Sequence, residues 1–405
     1  MKLIDKKDKY LDHKNYYVLG PSVVYCPNSD DMLLNADLFD NSDSNTGSML
    51  WRSLDKGLTW QEEDLIEKSH VYDFKNSKVK NGYGALYTDH KAKVIMYFAN
   101  ETYWVENKLD SVWFMRKLYY RLSFDQGHTW TDKKYVIQKG DKYNSIDFLR
   151  DGSFGKNMVA SVSPYIVRTL DDSLLISVQV QMLNEDGSLY NPTTMGYMKA
   201  GALRASWNKD KLEYDFEIDS YVTVDPKFST RGLYEPAFGY IDNNNLIMLM
   251  RNSNYTKDKD ILGVKYFSIS KDQGKNWTKP EMLKYDDDKL VYSSSCIPKL
   301  LNHSNGNLYF IGVINEDNPK GNLPRYPLVI AQVDKKTCRI IKDKMLVIDD
   351  KRENHIIKEG IKNVVDYSNH GIYEDKFTKR IIVLAPYRED LSNYKSYLNR
   401  YEIEV

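Results

Sequence analysis

Glu235, Arg251, Arg325 and Tyr367 are the residues through which this chain is best equipped to do chemistry. Glu235-Pro236 opens a short apolar run, and Arg251 closes the next one in Leu246-Ile-Met-Leu-Met-Arg251. If the two runs form a hairpin, they return Glu235 and Arg251 to the same end of it. A carboxylate beside a guanidinium can move protons, hold charge or form a structural ion pair. Arg325, in Asn322-Leu-Pro-Arg325-Tyr-Pro, brings a second planar donor fork, the natural partner of a carboxylate. Asp366-Tyr367-Ser368-Asn369-His370 places a phenol and an imidazole beside each other. His370 is the one histidine of 7 near such a position, suited to act as a base or to orient a ligand. Phosphate-binding glycine loops, nucleophile elbows and HExxH helices are absent from the sequence.

These residues need elements to hold them, and the elements repeat. Six segments share a plan of apolar run, polar turn and second apolar run. They begin at Gly20, Tyr83, Ser163, Tyr234, Ser294 and Tyr367. The runs are rich in Val, Ile, Leu, Tyr and Phe and are too short for helices, and the turns carry Asp, Asn, Gly, Ser and Lys. Turn centres near Asp31, His90, Asp172, Asn244, Gly306 and Thr378 recur at roughly 60–80 residues, a spacing that suits a four-stranded blade. Six such blades use the whole chain, so one domain over residues 1–405 is expected, an all-β six-bladed propeller. In a propeller the start of each innermost strand faces the axis, which puts Glu235 and Tyr367 there.

A second signature follows the first hairpin of several repeats. It reads Ser-x-Asp-x-Gly-x-x-Trp, at Ser53 to Trp60, Ser123 to Trp130 and Ser270 to Trp277. Aspartate caps backbone amides, glycine takes a positive φ, and tryptophan packs. Eroded versions stand near Ser206 and Val333. These turns resemble the Asp-boxes of the sialidase and BNR-repeat propellers, and the likeness runs over nearly the full length. It implies a retaining exo-glycosidase acting on a terminal acidic sugar, needing neither cofactor nor metal. Tyr367 would be the nucleophile, a recognised exception to the two-carboxylate scheme, with Glu235 activating it. Arg251 and Arg325 would grip the sugar carboxylate. Asp43, in the polar loop Asp40-Asn-Ser-Asp43, would be the general acid, in competition with Asp37 and Asp40.

One departure stands out. The family opens its first repeat with Arg-Ile-Pro, and this chain has Leu19-Gly20-Pro21-Ser22. Arg231, four residues before Glu235, is the candidate substitute. The missing arginine turns attention to a uronic acid or another acidic sugar, cleaved by a glycosidase or lyase, and to a non-catalytic glycan-binding propeller.

Composition bounds the alternatives. The 57 basic and 57 acidic residues balance, so no field argues for nucleic acid or a membrane surface as partner. The 32 tyrosines and 7 tryptophans suit strands and sugar stacking alike. Three cysteines without CxxC spacing suggest neither a disulfide framework nor a zinc site. The run Asn315-Glu-Asp-Asn318 lacks calcium-loop spacing. The start, MKLIDKKDKYLDHK, has no apolar segment, which implies a cytoplasmic protein, or a secreted one if a leader has been trimmed.

Overall fold

The computed structural model describes the chain except residues 42–43, 64–66, 69, 75–76, 106–115, 194–195, 256–260, 352–364 and 391–394. It is an all-β, six-bladed propeller, with six antiparallel sheets of four or five strands. None of the described residues is helical, and no helix is long and apolar enough to cross a membrane. Contacts group the chain into two compact units. One comprises Met1–Asp12, Asn191–Ala202 and Asp219–Val405, the other His13–Tyr190 and Leu203–Ile218.

The second of these units holds blade 1 (Tyr17–Tyr25, Met32–Asn41, Ser44–Ser53, Gln61–Glu62) and blade 2 (Ser77–Asp89, Val94–Val105, Arg116–Ser123, Lys134–Tyr135). Blade 3 follows them in the chain. Its inner strand is split into Val159–Ala160 and Ile166–Arg168, both paired with Leu174–Gln181. The first unit holds blade 4 (Tyr234–Tyr240, Leu246–Arg251, Lys265–Ser270, Glu281–Met282) and blade 5 (Lys299–Asn302, Leu308–Val313, Leu328–Asp334, Arg339–Asp349). Blade 6 takes Gly371–Glu374, Ile381–Asp390 and Lys395–Glu404, and is completed by Lys2–Leu11 from the other end of the chain, with Lys2 opposite Glu404. The six sequence hairpins are thus the first two strands of six blades. Their second strands are buried end to end, as in Leu246–Arg251 and Leu308–Val313, because both faces of a blade are covered by its neighbours.

The Ser-x-Asp-x-Gly-x-x-Trp turns share one hydrogen-bond pattern. In the first, Ser53 Oγ accepts from Gly57 N at 2.8 Å and Asp55 Oδ1 accepts from Thr59 N at 2.9 Å. The Thr59 hydroxyl and amide pull the Asp55 carboxyl down to about 2. Ser123/Gly127 and Ser270/Gly274 repeat the arrangement at 2.7 and 2.8 Å. Trp277 stacks on Phe238 at 6.0 Å, and Trp130 meets Tyr97 edge-on at 6.4 Å.

The sequence carried no sign of a kink repeated at the start of the inner strands. Gly20 (φ 60), Tyr83 (φ 54), Ser163 (φ 47), Glu235 (φ 48) and Asn369 (φ 60) all sit in the left-handed region. In blades 1, 2 and 4 the pairing register breaks there, between Leu19 and Ser22, Gly82 and Ala85, and Tyr234 and Ala237. A bulge of this kind re-aims a side chain out of the pleat.

Candidate active site

Glu235 is the bulged residue of blade 4. A left-handed conformation costs a glutamate roughly 1–2 kcal/mol, and the surroundings hold it there. Arg251, opposite Tyr234 in register, gives Nη1 to Glu235 Oε2 at 2.7 Å. The two side chains are only 10% and 8% exposed. Arg251 spends its other donors too: Nε on Ser295 Oγ at 3.0 Å and Nη2 on Asn322 Oδ1 at 3.3 Å. Burial alone would lower the Arg251 pKa, but Glu235 more than offsets it and pushes it up. The guanidinium lies 4.9 Å from the centre of the Tyr234 ring, and the Tyr234 hydroxyl is 2.9 Å from Ser295 Oγ. Arg231 approaches the same ring at 5.1 Å. A cation–π contact of this sort contributes about 0.5–2 kcal/mol.

Asn322 links the two sequence-predicted arginines. Its side chain takes Arg251, and its backbone carbonyl accepts Arg325 Nε at 3.1 Å. Arg325 Nη1 donates to Asp366 Oδ2 and to Ser368 Oγ, both at 2.8 Å. Two buried lysines stand close by. Lys265 Nζ donates to Ser294 O at 2.6 Å, and Lys299 opens the inner strand of blade 5. Burial pushes both down to about 8, while the Glu235 charge pulls each back up. Glu235, Arg231, Arg251 and Arg325 therefore belong to one cluster that has, among the described residues, five basic groups and two carboxylates. Sequence reasoning missed Tyr234, Asn322, Asp366, Lys265 and Lys299. The lysines had a signal, a lone charge inside an apolar strand run.

Tyr367 requires a correction. It is 0% exposed and sits in a hydrophobic cluster with Ile311, Val383, Tyr387 and Tyr401. Its hydroxyl donates to the Asp350 carbonyl at 3.2 Å. Burial first, then neighbouring Tyr401 and Asp349, push its pKa well above the usual range, the reverse of what a phenolate nucleophile needs. The physical reason lies in its neighbours: Asp366 and Ser368, tied together by Ser368 N donating to Asp366 Oδ1, both reach Arg325, while the ring between them enters the hydrophobic cluster.

His370 is also an interior residue. It is 1% exposed, with Nδ1 3.2 Å from Tyr367 O and Nε2 3.2 Å from Ile311 O. Burial and then Lys299 push it down to about 4, so the neutral ring donates to one of these two carbonyls and packs in the interior rather than meeting a ligand. Asp43 lies outside the described residues. Its competitor Asp37, in the other compact unit, is 2% exposed and accepts the Ser48 hydroxyl at 2.5 Å. Burial pushes Asp37 up to about 7 against the pull of Ser48 and the amides of Gly84 and Tyr83. Among the described residues no group of three His, Cys, Asp or Glu could hold a metal ion.

Fold and site together define an all-β, six-bladed propeller with a charged cluster on blades 4 and 5. A family model described as a BNR repeat-like domain matches residues 43–370, and the chain belongs to that family. Its structure is similar to that of a Hadza microbial sialidase, at 16% identity and a TM-score of 0.60, covering 96% of this chain and 66% of that one. It is similar to the NanB sialidase of Streptococcus pneumoniae (K499G mutant), at 12% identity and a TM-score of 0.62, covering 98% and 70%. It is also similar to a Penicillium chrysogenum α-L-arabinanase complexed with arabinobiose, at 12% identity and a TM-score of 0.58, covering 100% and 99%. At such identities the likeness is one of fold. No curated protein matches the sequence.

Proposed function

We propose that this propeller is a glycoside hydrolase acting on a glycan that ends in an acidic sugar. The observation that carries the reading is the charge of the cluster. Among the described residues, Arg231, Arg251, Arg325, Lys265 and Lys299 outnumber Glu235 and Asp366, and a sugar carboxylate would offset the excess. The two central arginines differ in what they have left to offer. Arg251 uses Nε and both terminal nitrogens on the protein, so it positions Glu235. Arg325 uses Nε and Nη1 on described residues, which leaves Nη2 for a ligand oxygen. Glu235 then supplies the carboxylate at the reacting centre, as base or nucleophile, with no help from Tyr367.

The test is a panel of fluorogenic glycosides carrying N-acetylneuraminic acid, glucuronic acid, galacturonic acid or arabinofuranose. Turnover confined to acidic sugars is expected, with Arg325→Ala raising KM by about 10-fold through one lost charged hydrogen bond. Equal turnover of the arabinoside would overturn it. The core position of Tyr367 favours a second reading, a glycan-binding propeller without catalysis. Under that reading acidic sugars bind and none is cleaved.

A further inference from the structure

Arg251 ends its strand, and Tyr255, four residues on, is 72% exposed, the most of any large hydrophobic side chain among the described residues. Single exposed apolar side chains need no explanation, but the support beneath this one is built. The preceding Asn254 is 3% exposed. Its Nδ2 donates to Ile261 O at 3.1 Å and Pro319 O at 2.7 Å, and its Oδ1 accepts from Gly321 N at 2.8 Å. That ties the loop after Arg251 to the loop before Arg325. The Tyr255 ring rests on Gly321: a Cβ there would come within 2.7 Å of ring atom Cδ2, and φ is +70. Only glycine lets the ring lie down, and the rest of it is open to solvent. The next residue, Asn322, is the one that joins Arg251 and Arg325. A preorganised aromatic surface thus stands one residue from the charged cluster.

We infer that Tyr255 is the platform for the sugar ring on the leaving-group side of the scissile bond, an inference that rests on the reading of the cluster as an acidic-sugar site. An aromatic ring held in place gives a pyranose face an apolar surface at little entropic cost, while its hydroxyl stays wet. The charged cluster recognises the acidic ring, and the platform distinguishes a sugar leaving group from a small one.

The experiment compares matched pairs: N-acetylneuraminic acid or glucuronic acid linked to galactose, against the corresponding methyl glycosides. KM is read where a pair is cleaved and Kd where it is only bound. In the full chain the galactosides are expected to bind about 10-fold tighter than the methyl glycosides. Tyr255→Ala should abolish that preference and leave the methyl glycosides unchanged, and Tyr255→Phe should keep it. If Tyr255→Ala leaves the preference intact, or if no preference exists, the platform is overturned and the acidic-sugar site stands. If neither member of any pair binds, the acidic-sugar site itself fails, and the platform with it.

Discussion

Blades 2 and 4 use the same backbone for different ends. In each, the inner strand bulges at a left-handed residue, Tyr83 or Glu235. The second strand sets a polar side chain opposite the residue just before it, Asn100 or Arg251. In blade 2 that side chain is a clasp: Asn100 Nδ2 donates to Ser161 O at 2.6 Å and Tyr83 O at 3.2 Å, and Ser161 N donates to Asn100 Oδ1 at 2.9 Å. In blade 4 Arg251 still reaches the next blade, at Ser295, but it also carries Glu235. The scaffold is generic, and two substitutions on it turn a neutral fastening into a charged one. That is how a repeated fold concentrates chemistry in one part of its circumference.

The sharpest way to break the comparison is to remove the carboxylate. Glu235→Gln should lower turnover by at least about 10³-fold if it is the reacting group, whereas Tyr83→Phe and Tyr367→Phe should change it by no more than a few-fold. A loss of activity in Tyr367→Phe with folding intact would restore the phenol to the site. Stability comes next. Arg251→Met removes the ion-pair partner of the buried Glu235 and should cost about 3–5 kcal/mol. Asn100→Ala should cost about 1–3 kcal/mol for the carbonyls and amide it leaves unpaired. Chemical denaturation of both variants measures the gap, and equal losses would mean that the charge adds nothing.

Blade 1 extends the series, with Asp37 opposite Leu19 in the same position. Burial raises it to about 7, so between the unfolded value near 3.8 and 7 the folded state holds a proton that the unfolded state has released. Its contribution is therefore full below about pH 4 and is lost as pH rises towards 7, by at most about 1.4 kcal/mol per pH unit. Asp37→Asn should flatten that part of the stability profile measured by denaturation from pH 4 to 7. The smallest effect concerns Gly20, whose φ of +60 is that of the non-glycine bulges. A Cβ there would stand 3.2 Å from Ser163 Oγ. Gly20→Ala should cost about 1 kcal/mol, read as a Tm drop of a few degrees, and no drop would show that the bulge tolerates a side chain without strain.

The blades were legible because two periods report them independently: alternating apolar runs mark the hairpins, and the Ser-x-Asp-x-Gly-x-x-Trp turns mark the next connection. The bulges were not, since Tyr83, Ser163 and Glu235 give no local hint of a left-handed backbone that tertiary packing imposes. Pairing of Glu235 with Arg251 followed from hairpin geometry. The role of Asp366 did not, because nothing local separates it from Tyr367 beside it, and only the contact with Arg325, 41 residues away, tells which of the two faces the site. The partnership of Asn322 with Arg251 joins residues 71 apart in the chain and leaves no trace in local pattern.

Blade 6 is finished by the strand Lys2–Leu11, whose partner Lys395–Glu404 is made last. On a ribosome the strand Lys2–Leu11 must therefore wait, unpaired, until Lys395–Glu404 has emerged. Contacts of such separation form slowly, and an open strand edge is a template for unwanted pairing. The charges of that waiting segment, at Lys2, Asp5, Lys6, Lys7, Asp8 and Lys9, discourage pairing with another chain in the interval. Closure of the ring is then a late, all-or-none fastening, and a nascent chain that stalls before residue 395 has five blades and a loose end.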